Sequence, residues 1–250
     1  MTLQRIQEEL AAILMEPAAR KAFAQDPRGS LKARGVKGRD LDLLAGLVAD
    51  DLAYFAERRN IDRLQALRAD APRSTALLEA AHGRLNAYFR AFPYSLEDPL
   101  DETNRFARWC MGAAAEGTVP PVLPDLAAFD AAVLRLVRSK AKATKASDRP
   151  RRAPGVRILR LGHAIGPALR SGDAAQAKPG PASIALHRTE DDVRWYGLTP
   201  LDEALLRTAD GTRTPTAWLK MAATSAGTTV AKARKAAREL VDDGLLAPPT

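Results

Sequence analysis

Ser183 to Tyr196, SIALHRTEDDVRWY, holds two short runs rich in aliphatic and aromatic residues around a polar Thr-Glu-Asp-Asp turn. Alternation puts Ile184 and Leu186 on one face, and the spacing predicts an antiparallel hairpin of SIALHR with VRWY. Upstream, Val156 and Ile158 in GVRILRL alternate as a strand does. Arg160 follows on their face, however, while Leu159 and Leu161 take the other, so the strand pattern is imperfect. Downstream the period becomes helical. Thr199-Pro200 supplies a cap and a first-turn proline before Leu201, Leu205 and Leu206. Pro215 opens a second helix with Trp218 and Leu219, and Thr228 or Thr229 a third that ends at Gly244. A small sheet followed by three short helices is the expectation for 155–250.

Before this region the apolar residues recur at spacings of three and four. Leu3, Ile6, Leu10, Ile13 and Leu14 make one stripe, ended before Pro17. Asp40 offers an N-cap for a helix carrying Leu43, Leu44, Leu47, Val48, Leu52 and Phe55. Ser74 offers one for a helix with Leu77, Leu78, Leu85, Tyr88 and Phe89, closed by Pro93. Asp101 starts another through Phe106, Trp109 and Cys110, and Leu126, Phe129, Val133, Leu134 and Val137 form the last stripe. The fold class expected is α+β, with an all-α helical bundle over 1–138, a basic Pro/Ala/Lys linker over 139–154, and a small C-terminal domain over 155–250. That domain combines a short antiparallel sheet with winged-helix-like helices.

The linker explains the charge. The 250 residues carry a net charge of +8, and ten basic residues against one acid, Asp148, fall between Arg135 and Arg160. A single basic stretch in SKAKATKASDRPRRAPG reads as a solvated linker rather than a DNA footprint spread over a domain. With 46% apolar residues the chain has enough hydrophobic surface to fold. There is no apolar run of membrane-spanning length, and MTLQRIQEEL is too polar for a signal peptide, so a cytoplasmic location and no membrane partner are expected. One cysteine excludes an internal disulfide, and three scattered histidines fit no zinc spacing.

Catalytic patterns are few. His82 falls in a predicted helix, His163 in a loop and His187 near a strand end, none of them at ligand spacing from a partner. Cys110, between Trp109 and Met111, reads as a buried small hydrophobe. GHAIGPALRSG lacks the Lys-Ser/Thr of a phosphate loop, and the Asp50-Asp51, Asp191-Asp192 and Asp242-Asp243 pairs make poor metal cages. An enzyme acting alone, or a resident cofactor, is not expected. A winged-helix reading of AGTTVAKARKAARELVDDGLLA would turn Lys232, Arg234, Lys235 and Arg238 toward phosphates. The preferred reading makes them the solvated face of a helix that packs through Val230, Ala233, Ala237 and Val241.

Several motifs in order carry a resemblance. LQRIQEELAAILMEPAARKAFAQDP, with Leu3, Leu10, Pro17, Arg20, Phe23 and Asp26-Pro27, resembles the N-terminal region of the partner proteins of multinuclear non-heme iron oxidative enzymes. These enzymes act in ribosomal peptide natural-product pathways of the methanobactin and thiaglutamate types. LAYFAERRNIDRLQALRADAPRSTALLEAAHGRLNAYFRAF resembles that family's second block, DETNRFARWC its aromatic helix, and LPDLAAFDAA its closing helix, with Asp130 where the family has a glutamate. ASIALHRTEDDVRWYGLTPLDEALLRTADGT resembles its C-terminal strand pair and following helix.

The resemblance implies a non-catalytic subunit that forms a heterodimer with an iron-bearing TIM-barrel oxidative enzyme and holds the leader of a ribosomal precursor peptide. The iron would belong to the enzyme. A short hairpin can recognise an extended peptide by accepting it as a further strand. The candidate peptide-binding residues are Ser183, Ile184, Ala185, Leu186, His187 and Arg188 on one candidate edge, and Arg194, Trp195 and Tyr196 on the other. Arg188 and Arg194 would meet an acidic leader, and Trp195 and Tyr196 would give apolar contact. The preferred competing reading of Trp195 is a core position of the small domain. Tyr54, Phe55, Phe89, Phe92, Tyr94 and Trp109 would either cover one another or leave a face for the enzyme.

Overall fold

Proline sets many of the helix starts, because a residue without an amide proton loses nothing where the helix leaves that donor unpaired. In the computed structural model, which describes residues 3–80, 84–92, 98–139, 148–190 and 192–247, the chain divides into two units, Met1–Phe106 and Ala107–Thr250. The first contains α1 (Leu3–Met15), α2 (Pro17–Gln25), α3 (Pro27–Ala33), α4 (Gly38–Ala45), α5 (Ala49–Asp70), α6 (Pro72–Ala80), α7 (Leu85–Ala91) and the start of α8 (Pro99–Ala115). Ile13, Phe23, Leu31, Val36, Leu41, Leu44 and Leu52 form one of its cores.

Three of the expected helix starts differ. The single helix expected from Asp40 through Phe55 is two, α4 and α5, because the chain turns at Gly46, whose N–H returns to Asp42 O, and at Leu47, whose N–H returns to Leu44 O. Glycine is the weakest ordinary helix former, and the turn shifts the phase of α5 relative to α4. Leu43, Val48 and Phe55, expected inside, are consequently exposed. Ser74 caps nothing. It is buried within α6, which Pro72 opens, and its hydroxyl donates to Ala71 O at 3.3 Å. At α8 the entering turn is closed by Asp98, whose Oδ1 accepts from Leu100 N–H at 2.7 Å, so the helix begins ahead of Asp101. His82, Pro93 and Tyr94 lie outside the described residues.

A buried polar cluster ties α5, α7 and α8 together. Arg63 is only 6% exposed and its Nη2 donates to Glu102 Oε1 at 3.1 Å, while Tyr88 Oη donates to the same oxygen at 2.7 Å. Arg105 Nη2 donates to Glu102 Oε2. Aromatic rings complete the shell, with Arg63 over Phe89 at 4.7 Å and Tyr88 edge-on to Phe106 at 5.0 Å. Burial, reinforced by Glu102, pushes the Tyr88 phenol pKa well up, keeping it a neutral donor.

The second unit holds the rest of α8, then α9 (Leu123–Arg138), β1 (Val156–Ala164), α10 (Gly166–Ser171), a short 3-10 turn over Ala174–Gln176, β2 (Lys178–Arg188), β3 (Val193–Leu198), α11 (Pro200–Thr208), α12 (Pro215–Ser225) and α13 (Val230–Asp242). The strands form one antiparallel sheet in the order β1-β2-β3. The helix starts expected at Thr199 and Pro215 are present. Thr199 and Asp202 make a reciprocal capping box, Thr214 caps the helix that Pro215 opens, and of the two candidates for α13 it is Thr229 that caps. No described helix is long and apolar enough to cross a membrane.

The division between units differs from the one read at the basic segment. The helix α9, read as the end of the bundle, packs on all three strands, and the unit boundary falls at Phe106/Ala107. Of the expected linker, 140–147 lies outside the described residues, but 151–153 is laid against the C-terminal helical region. Arg152 N–H donates to Ala209 O at 3.0 Å, Ala153 N–H to Leu245 O at 3.0 Å, and Arg151 O accepts from Ala247 N–H at 2.9 Å. Backbone pairing holds this basic sequence in place although its composition gives it little to bury.

Glu102 is the common acceptor of the buried cluster, so its loss leaves a buried guanidinium without its counter-charge. Glu102→Ala is expected to destabilise the first unit by about 3 kcal/mol or more, measured by urea unfolding. Arg63→Met, which keeps the volume and removes the charge, is expected to cost less.

Candidate functional site: the open edge of the sheet

The three strands are apolar on both faces because both are covered. The register aligns Ile158, Ala185 and Tyr196 on one face, and these pack against the core of α11 to α13, formed by Leu205, Leu206, Trp218, Leu219, Leu240 and their neighbours. The other face aligns Arg157, Leu186 and Trp195, with Leu159 and Ile184 beside them. There, Arg188 Nη1 donates to Leu136 O of α9 at 3.0 Å. Burial, together with the charge of Arg135 on α9, lowers the Arg157 pKa. The two-faced pattern in GVRILRL is thus what a strand between two layers requires.

The expected pair of edges is corrected. Ser183 to Arg188 is central, paired with Val156 to Arg160 of β1 on one side and Val193 to Leu198 of β3 on the other. Its backbone has no free side for a further strand. Ile184, Ala185 and Leu186 are buried core residues. The Ser183 hydroxyl donates to Glu203 Oε2 at 2.6 Å, and Arg160 Nε donates to Glu203 Oε1. These hydrogen bonds, with the charges of Arg160 and Arg207, outweigh partial burial and lower the Glu203 pKa. Arg188 is engaged with α9, so of the two arginines expected to meet a peptide only Arg194 is exposed.

The available edge of the hairpin is the outer side of β3. Thr189 N–H donates to Asp192 O at 2.8 Å, which closes the turn and fixes the alternation along the ladder. Antiparallel strands alternate inward-pointing with outward-pointing backbone groups. Counting from the 189/192 pair, Arg194, Tyr196 and Leu198 bond to β2, and Val193, Trp195 and Gly197 point away from it. Asp192 Oδ1 accepts from Val193 N–H at 2.6 Å. The amides and carbonyls of Trp195 and Gly197 take no backbone partner among the described residues on that side. Gly197 is exposed, with open space around its Cα.

The side chains along β3 are anchored from behind. Trp195 is half-buried beneath Arg170, whose guanidinium lies 5.6 Å from the ring centroid, and beside Gly166 of α10. Tyr196 is half-buried and its hydroxyl donates to Asp243 O at 3.3 Å. His187, opposite Arg194 in the register, packs beside Gly244, where φ is 74° and an added Cβ would come within 3.3 Å of the imidazole. Burial, then the charge of Arg194, lowers the His187 pKa below 6.5.

One pair was not legible in the sequence. His163 lies in β1 rather than a loop, and its Nδ1 is 2.7 Å from Oδ2 of Asp125, 38 residues away in the first turn of α9. Asp125 Oδ1 also accepts from Gly162 N–H at 3.0 Å, at the irregularity in the β1 ladder between Leu161 and His163. One carboxylate thus fixes the bulge to α9. No group of three or more His, Cys, Asp or Glu side chains able to hold a metal occurs among the described residues. Cys110 is fully buried, and its thiol pKa is pushed well up by burial and secondarily by Asp130.

A thiol so placed is a poor nucleophile, so Cys110 is expected to resist iodoacetamide at pH 8 in the native protein and to react within minutes once unfolded, as mass spectrometry would read. For His187, a folded pKa below the unfolded 6.5 means the neutral form is stabilised by folding. Its contribution is present above pH 6.5 and is lost as pH falls through the lower folded value. Between pH 7.5 and 5.5 the wild-type melting temperature is expected to fall more than that of His187→Gln. The chain matches no protein-family model and no curated protein.

Proposed function

We propose that this chain is a non-catalytic partner subunit that binds a ribosomal precursor peptide by strand addition and presents it to an iron-dependent oxidative enzyme in peptide natural-product biosynthesis. The observation that carries the reading is the outer side of β3, where the outward backbone groups of Trp195 and Gly197 have no partner among the described residues. An added strand would satisfy them, with backbone bonds giving affinity and alternate side chains giving selectivity. Arg194 stands exposed on this strand for an acidic peptide, and half-buried Trp195 and Tyr196 offer their accessible parts without ordering a mobile side chain. Iron would be held by the enzyme, and this chain would raise the local concentration of peptide beside it.

A surface for the enzyme is supported by the helical unit. Tyr54 and Phe55 are 63% and 60% exposed, with their rings 5.9 Å apart, and Leu43, Val48 and Ile61 are also exposed. Tyr54 and Ile61 are seven residues apart and so fall on the same side of α5, with Phe55 next to Tyr54. Exposed aromatics concentrated on one element mark protein contact more often than solvent. The second reading, a winged-helix DNA binder, rests on the exposed Lys232, Arg234, Lys235 and Arg238 of α13.

The test is co-expression with an iron-dependent oxidative enzyme encoded beside this chain, with peptide conversion measured in its presence and absence. Gly197→Pro removes an amide proton that the β2 ladder does not use. It is expected to leave the circular dichroism spectrum unchanged and to weaken precursor-peptide binding at least about tenfold, for one lost backbone bond and a blocked edge. Peptide affinity should change little between about 50 and 200 mM salt, whereas DNA binding through several phosphates would fall about a thousandfold. Equal conversion without this chain would overturn the proposal.

A further inference from the structure

The helical unit contains a pocket of about 320 Å³ between the end of α1, α2, α5 and α7. Its floor is apolar, made by buried Met15, Ala56 and Phe89. Around that floor stand Arg20, Arg59 and Arg90 together with Asn60 and Asn86, and no carboxylate lines it. Arg59 is itself engaged, which leaves Arg20 and Arg90 as the guanidiniums that an anion in the cavity would screen. We infer that this pocket is a binding site for a small oxyanion-bearing metabolite, phosphorylated or polycarboxylate, held by Arg20 and Arg90 and oriented by the two carboxamides.

Four observations carry the assignment. Arg20 is preorganised, because its Nη1 donates to Leu14 O at the end of α1 at 2.7 Å; a guanidinium fixed in place loses little freedom on binding. Asn60, Asn86 and Arg90 make no hydrogen bond or ion pair among the described residues, so their donors are available to a ligand. Phe89, part of the floor, also carries the buried guanidinium of Arg63 at 4.7 Å. The Nε and Nη1 of that group have no partner among the described residues, so a cation incompletely satisfied by Glu102 stands next to the pocket wall. The volume suits a small metabolite rather than a folded segment, and paired guanidiniums match the flat geometry of carboxylate and phosphate oxygens. This site does not depend on the peptide-binding reading, which concerns the sheet of the other unit.

Isothermal titration calorimetry on the full chain with pyrophosphate, citrate and acetate tests the inference at about 50 mM salt. Saturable binding of one pyrophosphate or citrate, with acetate far weaker, is the expected result, and whichever of the two binds tighter identifies phosphate or carboxylate as the source. Arg90→Glu should weaken that binding about tenfold or more, and Asn86→Asp should weaken it in the same direction, both with the melting temperature held. A variant in which Lys140, Lys142 and Lys145 are changed to Ala should bind as the wild type does. The inference is overturned if neither multivalent anion saturates a site. It is equally overturned if both pocket variants bind normally, or if the lysine variant alone loses binding, since the basic segment would then be the anion site.

Discussion

Burial of β2 on both faces is the constraint on which the second unit depends. Ile184 and Leu186 point toward one layer and Ala185 toward the other, and all three are buried. Each large aliphatic side chain so placed contributes about 2 kcal/mol relative to exposure, and neither face can be given up without uncovering one row. The sheet needs α9 on one side and α11 to α13 on the other. This explains why α9 packs on the strands. Arginines on the strands end in defined partners. Arg188, part-buried, reaches Leu136 O of α9, and Arg160, although largely exposed, reaches Glu203.

The same constraint leaves the sheet its edges. With three strands and β2 in the middle, a ladder of backbone groups must end at β3, and a helical layer on each face does not cover that margin. Edge strands that are short and carry charge resist self-association, and β3 has six residues with Arg194 exposed. The helical unit solves a different problem. It buries an ionic cluster around Glu102 in aromatic surroundings, where hydrogen bonds and ring contacts offset part of the desolvation of the charges. It leaves its aliphatic and aromatic surplus on α4 and α5, at Leu43, Tyr54, Phe55 and Ile61. The second unit exposes a backbone edge, and both units expose some apolar side chains, Met111 and Val137 among them in the second.

Much of the local structure was legible. The cap at Thr199 with Pro200, the helix start at Pro215 and the start at Thr228 or Thr229 are short-range signals, because each concerns backbone donors within one turn. The hairpin was legible from alternation around a polar turn. Helix continuity past Gly46 was not, since the apolar stripe from Leu43 to Phe55 fits one helix as well as two. The central position of Ser183 to Arg188 was not legible either. A hairpin alone fixes one neighbour of each strand, and only the return of β1 onto the far side of β2 decides which strand is in the middle.

By itself the sequence determined an α+β chain, a helical N-terminal region, and a C-terminal sheet with capped helices, because periodicity and caps act over a few residues. The tertiary structure alone decided that α9 belongs with the sheet, that Arg151 to Ala153 is pinned by backbone pairing, and that Asp125 clasps His163 and Gly162. Those contacts join residues tens of positions apart. They form only when burying both faces of β2 brings distant segments together, and no local pattern in the chain encodes which segments those are.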